Sequence, residues 1–100
     1  MKKLLFLLII PFLSFGQDID TYLDKAEQYF DAEKYQASIE YYTKAISISE
    51  NNPFDLAYSY IGRAEAYFEL KLWNRAIHDC ILVYELGQIS EKIDNSIYLL

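Results

Sequence analysis

Two stretches of this chain repeat. Lys25-Ala26-Glu27-Gln28-Tyr29-Phe30 returns 38 positions later as Arg63-Ala64-Glu65-Ala66-Tyr67-Phe68. The same step carries Tyr22 onto Tyr60, Tyr35 onto Trp73, Ile39 onto Ile77 and Ala45 onto Val83, and one more step from Tyr60 lands on Tyr98. Self-similarity at a period of roughly 20–50 residues marks stacked supersecondary units, each of which buries its apolar face on a neighbour. That limits the fold to an array of short units and tilts function toward binding rather than catalysis.

The units read as helices. Beyond residue 16, proline occurs only at Pro53 and glycine only at Gly62 and Gly87. Apolar residues fall three and four apart: Tyr22, Ala26, Tyr29 and Phe30, then Tyr35, Ile39, Tyr42 and Ala45 in the first unit. Tyr60, Ala64, Tyr67 and Phe68, then Trp73, Ile77, Cys80 and Ile81 follow in the second. This is the helical period with a wide apolar face. Five helices are expected, at about Ile19–Ala32, Tyr35–Ser49, Pro53–Leu70 and Trp73–Leu86, with the fifth starting near Ser90. Asn52 followed by Pro53 is an N-cap with proline at the first helical position. Gly87 suits a C-terminal cap. The fold class is therefore all-α, with antiparallel helix hairpins stacked as an α-solenoid. Tyr29, Tyr35, Tyr67, Trp73 and Cys80 are expected in the core. His78, the single histidine, is expected on the surface.

The first sixteen residues stand outside the repeat. Met1-Lys2-Lys3 is basic, Leu4 to Phe15 is almost wholly apolar, and Ser14-Phe15-Gly16 offers small residues at a cleavage spacing. This is the layout of a secretory signal peptide spanning 1–16. Its twelve-residue apolar core rises only about 18 Å as a helix, short of the ~30 Å hydrocarbon thickness. No membrane insertion is expected after cleavage, and the expected location is the periplasm or cell envelope of a bacterium. Without Lys2 and Lys3, seven basic residues face fifteen acidic ones. So acidic a chain repels nucleic acid. One cysteine cannot form an intramolecular disulfide, so cohesion rests on helix packing.

These residues resemble the tetratricopeptide repeat, a family of about 34 residues per unit with a W-x₂-L-G-x₂-Y…A-x₃-F…P pattern. Tyr22 and Tyr60 stand at its opening aromatic, Ala26 and Ala64 at its small residue, and Tyr29 and Tyr67 at its first-helix tyrosine. Ser38 and Ala76, Tyr42 and Cys80, and Ala45 and Val83 fill the second-helix positions. The resemblance covers about Asp20 to Leu86. It divides 17–100 into a first repeat at about 19–52, a second at about 53–87 and the start of a third at about 90–100. The repeat here is four residues longer than usual, and Glu33 and Lys71 occupy the turn position where glycine is common.

The resemblance implies a concave face lined by the first helix of each pair. In the first unit it would present Asp24, Glu27, Phe30 and Asp31; in the second, Tyr58, Glu65, Phe68 and Glu69. Family members that hold a peptide carboxylate do so with Lys, Arg and Asn on this face. Acidic side chains stand there instead, so the implied partner is a protein or peptide of basic character. Glu27 with Asp31 and Glu65 with Glu69 are spaced as helix neighbours, yet no histidine or glycine-rich ligand loop accompanies them. No phosphate loop, zinc spacing or nucleophile elbow is present. The expectation is a non-enzymatic interaction scaffold without metal or cofactor. The alternative is a structural segment that packs another domain or subunit, ahead of an enzymatic or regulatory domain beyond Leu100. Two units and a started third are few for a solenoid. The chain reads as the front of a longer repeat protein, as one that self-associates through its C-terminal helix, or as a small adaptor completed by another protein.

Overall fold

A computed structural model describes residues 18–98. The leader expected over 1–16 lies outside the described residues, as do Leu99 and Leu100. Four helices follow one another: α1 (Ile19–Asp31), α2 (Tyr35–Ser47), α3 (Pro53–Glu69) and α4 (Trp73–Tyr98). Each packs on the next, and α1 also reaches α3. The described chain is an all-α, tetratricopeptide-like stack of two helix hairpins.

Local chemistry sets the helix ends. Asp18 caps α1, its carboxylate accepting from Thr21 N at 3.1 Å. Asn52 caps α3, its Oδ1 accepting from Phe54 N and Asp55 N at 3.1 and 3.2 Å, with Pro53 at the first helical position. α1 and α3 end alike. Glu33 N donates to Phe30 O and Lys34 N to Tyr29 O; Lys71 N donates to Phe68 O and Leu72 N to Tyr67 O. These paired bonds are the Schellman closure, which needs a left-handed residue after the cap. Glu33 and Lys71 supply it, each at φ 62°. The family's usual glycine position is thus occupied by two residues held in glycine's conformation.

Small residues make the core. Ala26, Ala45, Ala64, Ala66 and Ala76 are buried with Ile39 and Tyr42. Ser38, also buried, donates from Oγ to Ala26 O across the first hairpin at 2.8 Å. Gly62 lets α2 and α3 approach closely, for a Cβ there would overlap the Tyr42 ring. Larger rings brace the turns. Phe30 meets Tyr35 edge-on at 5.2 Å, and the equivalent Phe68 meets Trp73 edge-on at 5.0 Å.

Three expectations fail. The helix that begins at Trp73 does not stop at Gly87, and no separate fifth helix starts near Ser90. Gly87 has no positive φ. A lone glycine costs a helix only about 1 kcal/mol, too little to end it without a proline or a left-handed residue. Cys80, expected in the core, is exposed. Trp73 is 48% exposed rather than enclosed. Both stand where the first unit has Tyr42 and Tyr35, but α3 covers that face of α2, and no described helix covers the same face of α4.

Candidate functional site

α1 and α3 lie side by side on one face of the stack. The i, i+3, i+4 spacing that turns Ala26 and Ala64 inward turns Glu27, Phe30 and Asp31, and Ile61, Glu65 and Phe68, toward a shared trough. Three grooves run into one another along it. The first, about 570 Å³, is lined by Asp20, Leu23, Asp24, Glu27, Phe54, Asp55 and Tyr58. A second, about 280 Å³, shares Glu27 and Tyr58 with it and adds Phe30, Asp31, Ile61 and Glu65 over a floor of Tyr42 and Gly62. The third, about 430 Å³, shares Phe30, Ile61 and Glu65 and continues past Phe68 and Glu69 to Ala76, Cys80 and Val83 on α4.

All eight residues expected on the concave face line this trough. Asp24 sits at one end and Glu69 at the other. The geometry is shared; a binding role for these side chains is taken up below. Tyr42, Gly62 and the α4 wall were not foreseen. Gly62 carried a signal only in being a glycine inside a helical pattern, where it costs about 1 kcal/mol relative to alanine; the close approach of Tyr42 is seen only in the structure.

The trough is acidic at its rim and aromatic or aliphatic between. Among the described residues, no lysine or arginine lines it. The Tyr58 hydroxyl donates to Glu27 Oε1 and ties α3 to α1 across the groove. That hydrogen bond, then burial, holds the Tyr58 phenol above its ordinary pKa. Beneath it the Tyr42 phenol is pushed up to about 12, first by burial and then by Glu27, Tyr58, Glu65 and Asp31. Both hydroxyls therefore stay neutral donors near neutral pH, inside a field of carboxylates.

Arg63 lies behind the trough. Its Nε and Nη2 donate to the two carboxylate oxygens of Asp79, each at 2.8 Å, and Nη1 donates to Thr43 Oγ1 at 3.2 Å. Asp79 is 1% exposed. One guanidinium thus joins α2, α3 and α4 through a bidentate, charge-assisted contact. Sequence reading passed over this pair, because its residues fall 16 apart and meet only once the hairpin register is known. His78 is exposed as expected, its Nδ1 4.0 Å from Asp79 Oδ1 and beyond hydrogen-bond reach. Among the described residues, no group of three His, Cys, Asp or Glu side chains is placed to hold a metal ion. No described helix is long and apolar enough to cross a membrane.

Among known proteins, the chain is similar to the mitochondrial import receptor subunit TOM70 of Homo sapiens, Rattus norvegicus and Mus musculus. Each is 35% identical over 85 residues, covering 72% of this chain and 14% of the relative. The chain thus spans about one-seventh of the curated relatives it matches. No family model matches the sequence, and no solved structure matches it. Together with the two-hairpin stack, the TOM70 similarity supports a tetratricopeptide-like family.

Proposed function

We propose that residues 18–98 form a non-catalytic protein-interaction module that binds a basic peptide segment along the trough between α1 and α3. One observation carries this reading: seven carboxylates, from Asp20, Asp24, Glu27, Asp31, Asp55, Glu65 and Glu69, border a single run of grooves that, among the described residues, holds no basic side chain. Phe30, Tyr58, Ile61 and Phe68 lie between them and offer apolar contact to the stem of a lysine or arginine. A docked chain would exchange water for neutral tyrosine donors and aromatic faces, while its ammonium or guanidinium groups meet the rim. The word receptor in the relatives' name is in keeping with recognition of another polypeptide. The exported location belongs to the same proposal. It rests on the 1–16 pattern alone, whose leader layout supports export to a bacterial envelope.

A second reading is favoured by the exposed apolar side of α4. There the segment packs structurally against another domain or subunit and recognises nothing in the trough.

Calorimetric titration with lysine- and arginine-containing peptides separates the two. Binding is expected to weaken as salt rises, because rim charges are screened over about 8–10 Å. The triple variant Glu27→Lys, Glu65→Lys, Glu69→Lys is expected to lose at least about tenfold in affinity while its helical signal persists. Equal binding by the wild type and the triple variant would remove the trough from the account.

A further inference from the structure

The middle groove of the trough, about 280 Å³ between Glu27 and Glu65, holds an unmet hydrogen-bonding group. Tyr42 is only 5% exposed, yet among the described residues its hydroxyl has no hydrogen-bond partner, unlike that of Tyr58. Every fully enclosed side-chain polar atom among those residues does have one. The Tyr42 hydroxyl therefore opens onto the groove it floors. Gly62 makes this possible. A Cβ there would stand 2.7 Å from Tyr42 Oη, and glycine leaves both the ring and the space above it free. The second unit does not repeat the feature, for Cys80 stands where the first has Tyr42.

Four acceptors from three helices surround this spot. Glu27 and Asp31 come from α1, Glu65 from α3 and Tyr42 from α2. After burial, the three carboxylates and Tyr58 are what hold the Tyr42 phenol up, so each lies within electrostatic reach of its hydroxyl. Among the described residues none of the three is ion-paired, and they are not gathered tightly enough to hold a bare metal ion. Spread around a hydroxyl and walled by Phe30 and Ile61, they suit an organic cation on an aliphatic stem. The neutral hydroxyl offers an acceptor oxygen, so the cation needs N–H groups, and a quaternary ammonium would leave that oxygen unmet. A primary ammonium sends three N–H donors to separate acceptors, whereas the planar guanidinium fork matches one carboxylate two-pronged.

We propose that this groove is a pocket for the ammonium end of one lysine side chain of the bound peptide, and that it fixes the peptide's register in the trough. The proposal rests on the reading that the trough binds a basic peptide. The lysine stem lies between Phe30 and Ile61, and its N–H groups donate to the Tyr42 hydroxyl oxygen and to the carboxylates around it. Arginines of the same peptide meet the open rim at Asp24 and Glu69.

Calorimetric titration of the full chain tests this with three short amidated peptides that differ at one residue. The first has a central lysine between two arginines; the others have arginine or trimethyllysine in its place. Expected is at least about tenfold tighter binding of the lysine peptide than of either other. Tyr42→Phe keeps the ring and removes a hydroxyl that bonds nothing within the chain, so helicity should persist. In that variant the lysine and arginine peptides should bind alike, at the wild type's affinity for the arginine peptide. Salt-sensitive but equal binding of all three peptides to the wild type would overturn the pocket and leave the trough standing. No binding of any peptide would overturn both. A lysine preference that survives Tyr42→Phe would also overturn the assignment, and free cadaverine binding as tightly as the lysine peptide would give the pocket to a soluble diamine instead.

Discussion

At the scale of single residues, the two units solve one packing problem twice with different chemistry. Lys25 and Arg63 are equivalent, as are Tyr41 and Asp79. In the first unit Tyr41 stacks at 5.5 Å on Tyr29, 6.4 Å from Tyr22, with the Lys25 ammonium 5.4 Å from its ring. In the second, Tyr60 and Tyr67 keep their places beside Arg63 at 5.4 and 5.8 Å. Asp79 replaces the central ring and binds the guanidinium instead. Removing one partner of a buried ion pair strands the other charge, at a cost of about 3–5 kcal/mol, whereas a well-packed replacement of both can be neutral. Asp79→Ala should therefore lower stability by about that amount in denaturant titration. The double change Arg63→Lys with Asp79→Tyr, which copies the first unit, should recover most of the loss. Tyr42 makes a second prediction. Its phenol titrates near 10 when unfolded and at about 12 when folded. Its contribution is complete below pH 10 and is lost as pH rises toward 12, on the order of 2 kcal/mol. Tyr42→Phe should flatten that part of the alkaline unfolding curve. The equivalences themselves were legible in the sequence. What Tyr41 and Asp79 touch was not, because partners across a hairpin depend on helix phase as well as spacing.

At the scale of the elements, the ends written in side-chain chemistry were the readable ones. Asn52-Pro53 announced α3 to the residue. The turns at Glu33 and Lys71 fell at the position where the resemblance places glycine, and the backbone there is left-handed. Non-glycine residues are strained in that region by roughly 1–2 kcal/mol, partly offset by the flexibility glycine adds to the unfolded chain. Lys71→Gly should thus raise stability by up to about 1 kcal/mol, read as a higher melting temperature, with the fold unchanged. The misread boundary was Gly87, where composition offered a cap but no neighbouring proline or turn forced the chain out of its helix. Burial was misread at Trp73 and Cys80 for a different reason. A repeat pattern names the positions that face a neighbour, not whether a neighbour stands there.

At the scale of the whole molecule, the stack has two unlike surfaces. The trough between α1 and α3 is acidic with aromatics between its carboxylates, and the outer side of α4 is apolar. The first was legible because the repeat puts Glu27 and Glu65, and Phe30 and Phe68, in equivalent places. The second was hidden, since the same residues read as core. The account assigns peptide recognition to the trough, and residue-resolved NMR titration with a lysine- and arginine-containing peptide tests that claim most directly. The account predicts amide shifts concentrated from Asp24 to Asp31 and from Tyr58 to Glu69, fading as salt is added. Shifts confined to Trp73–Tyr84, or spread evenly over all four helices, would contradict it.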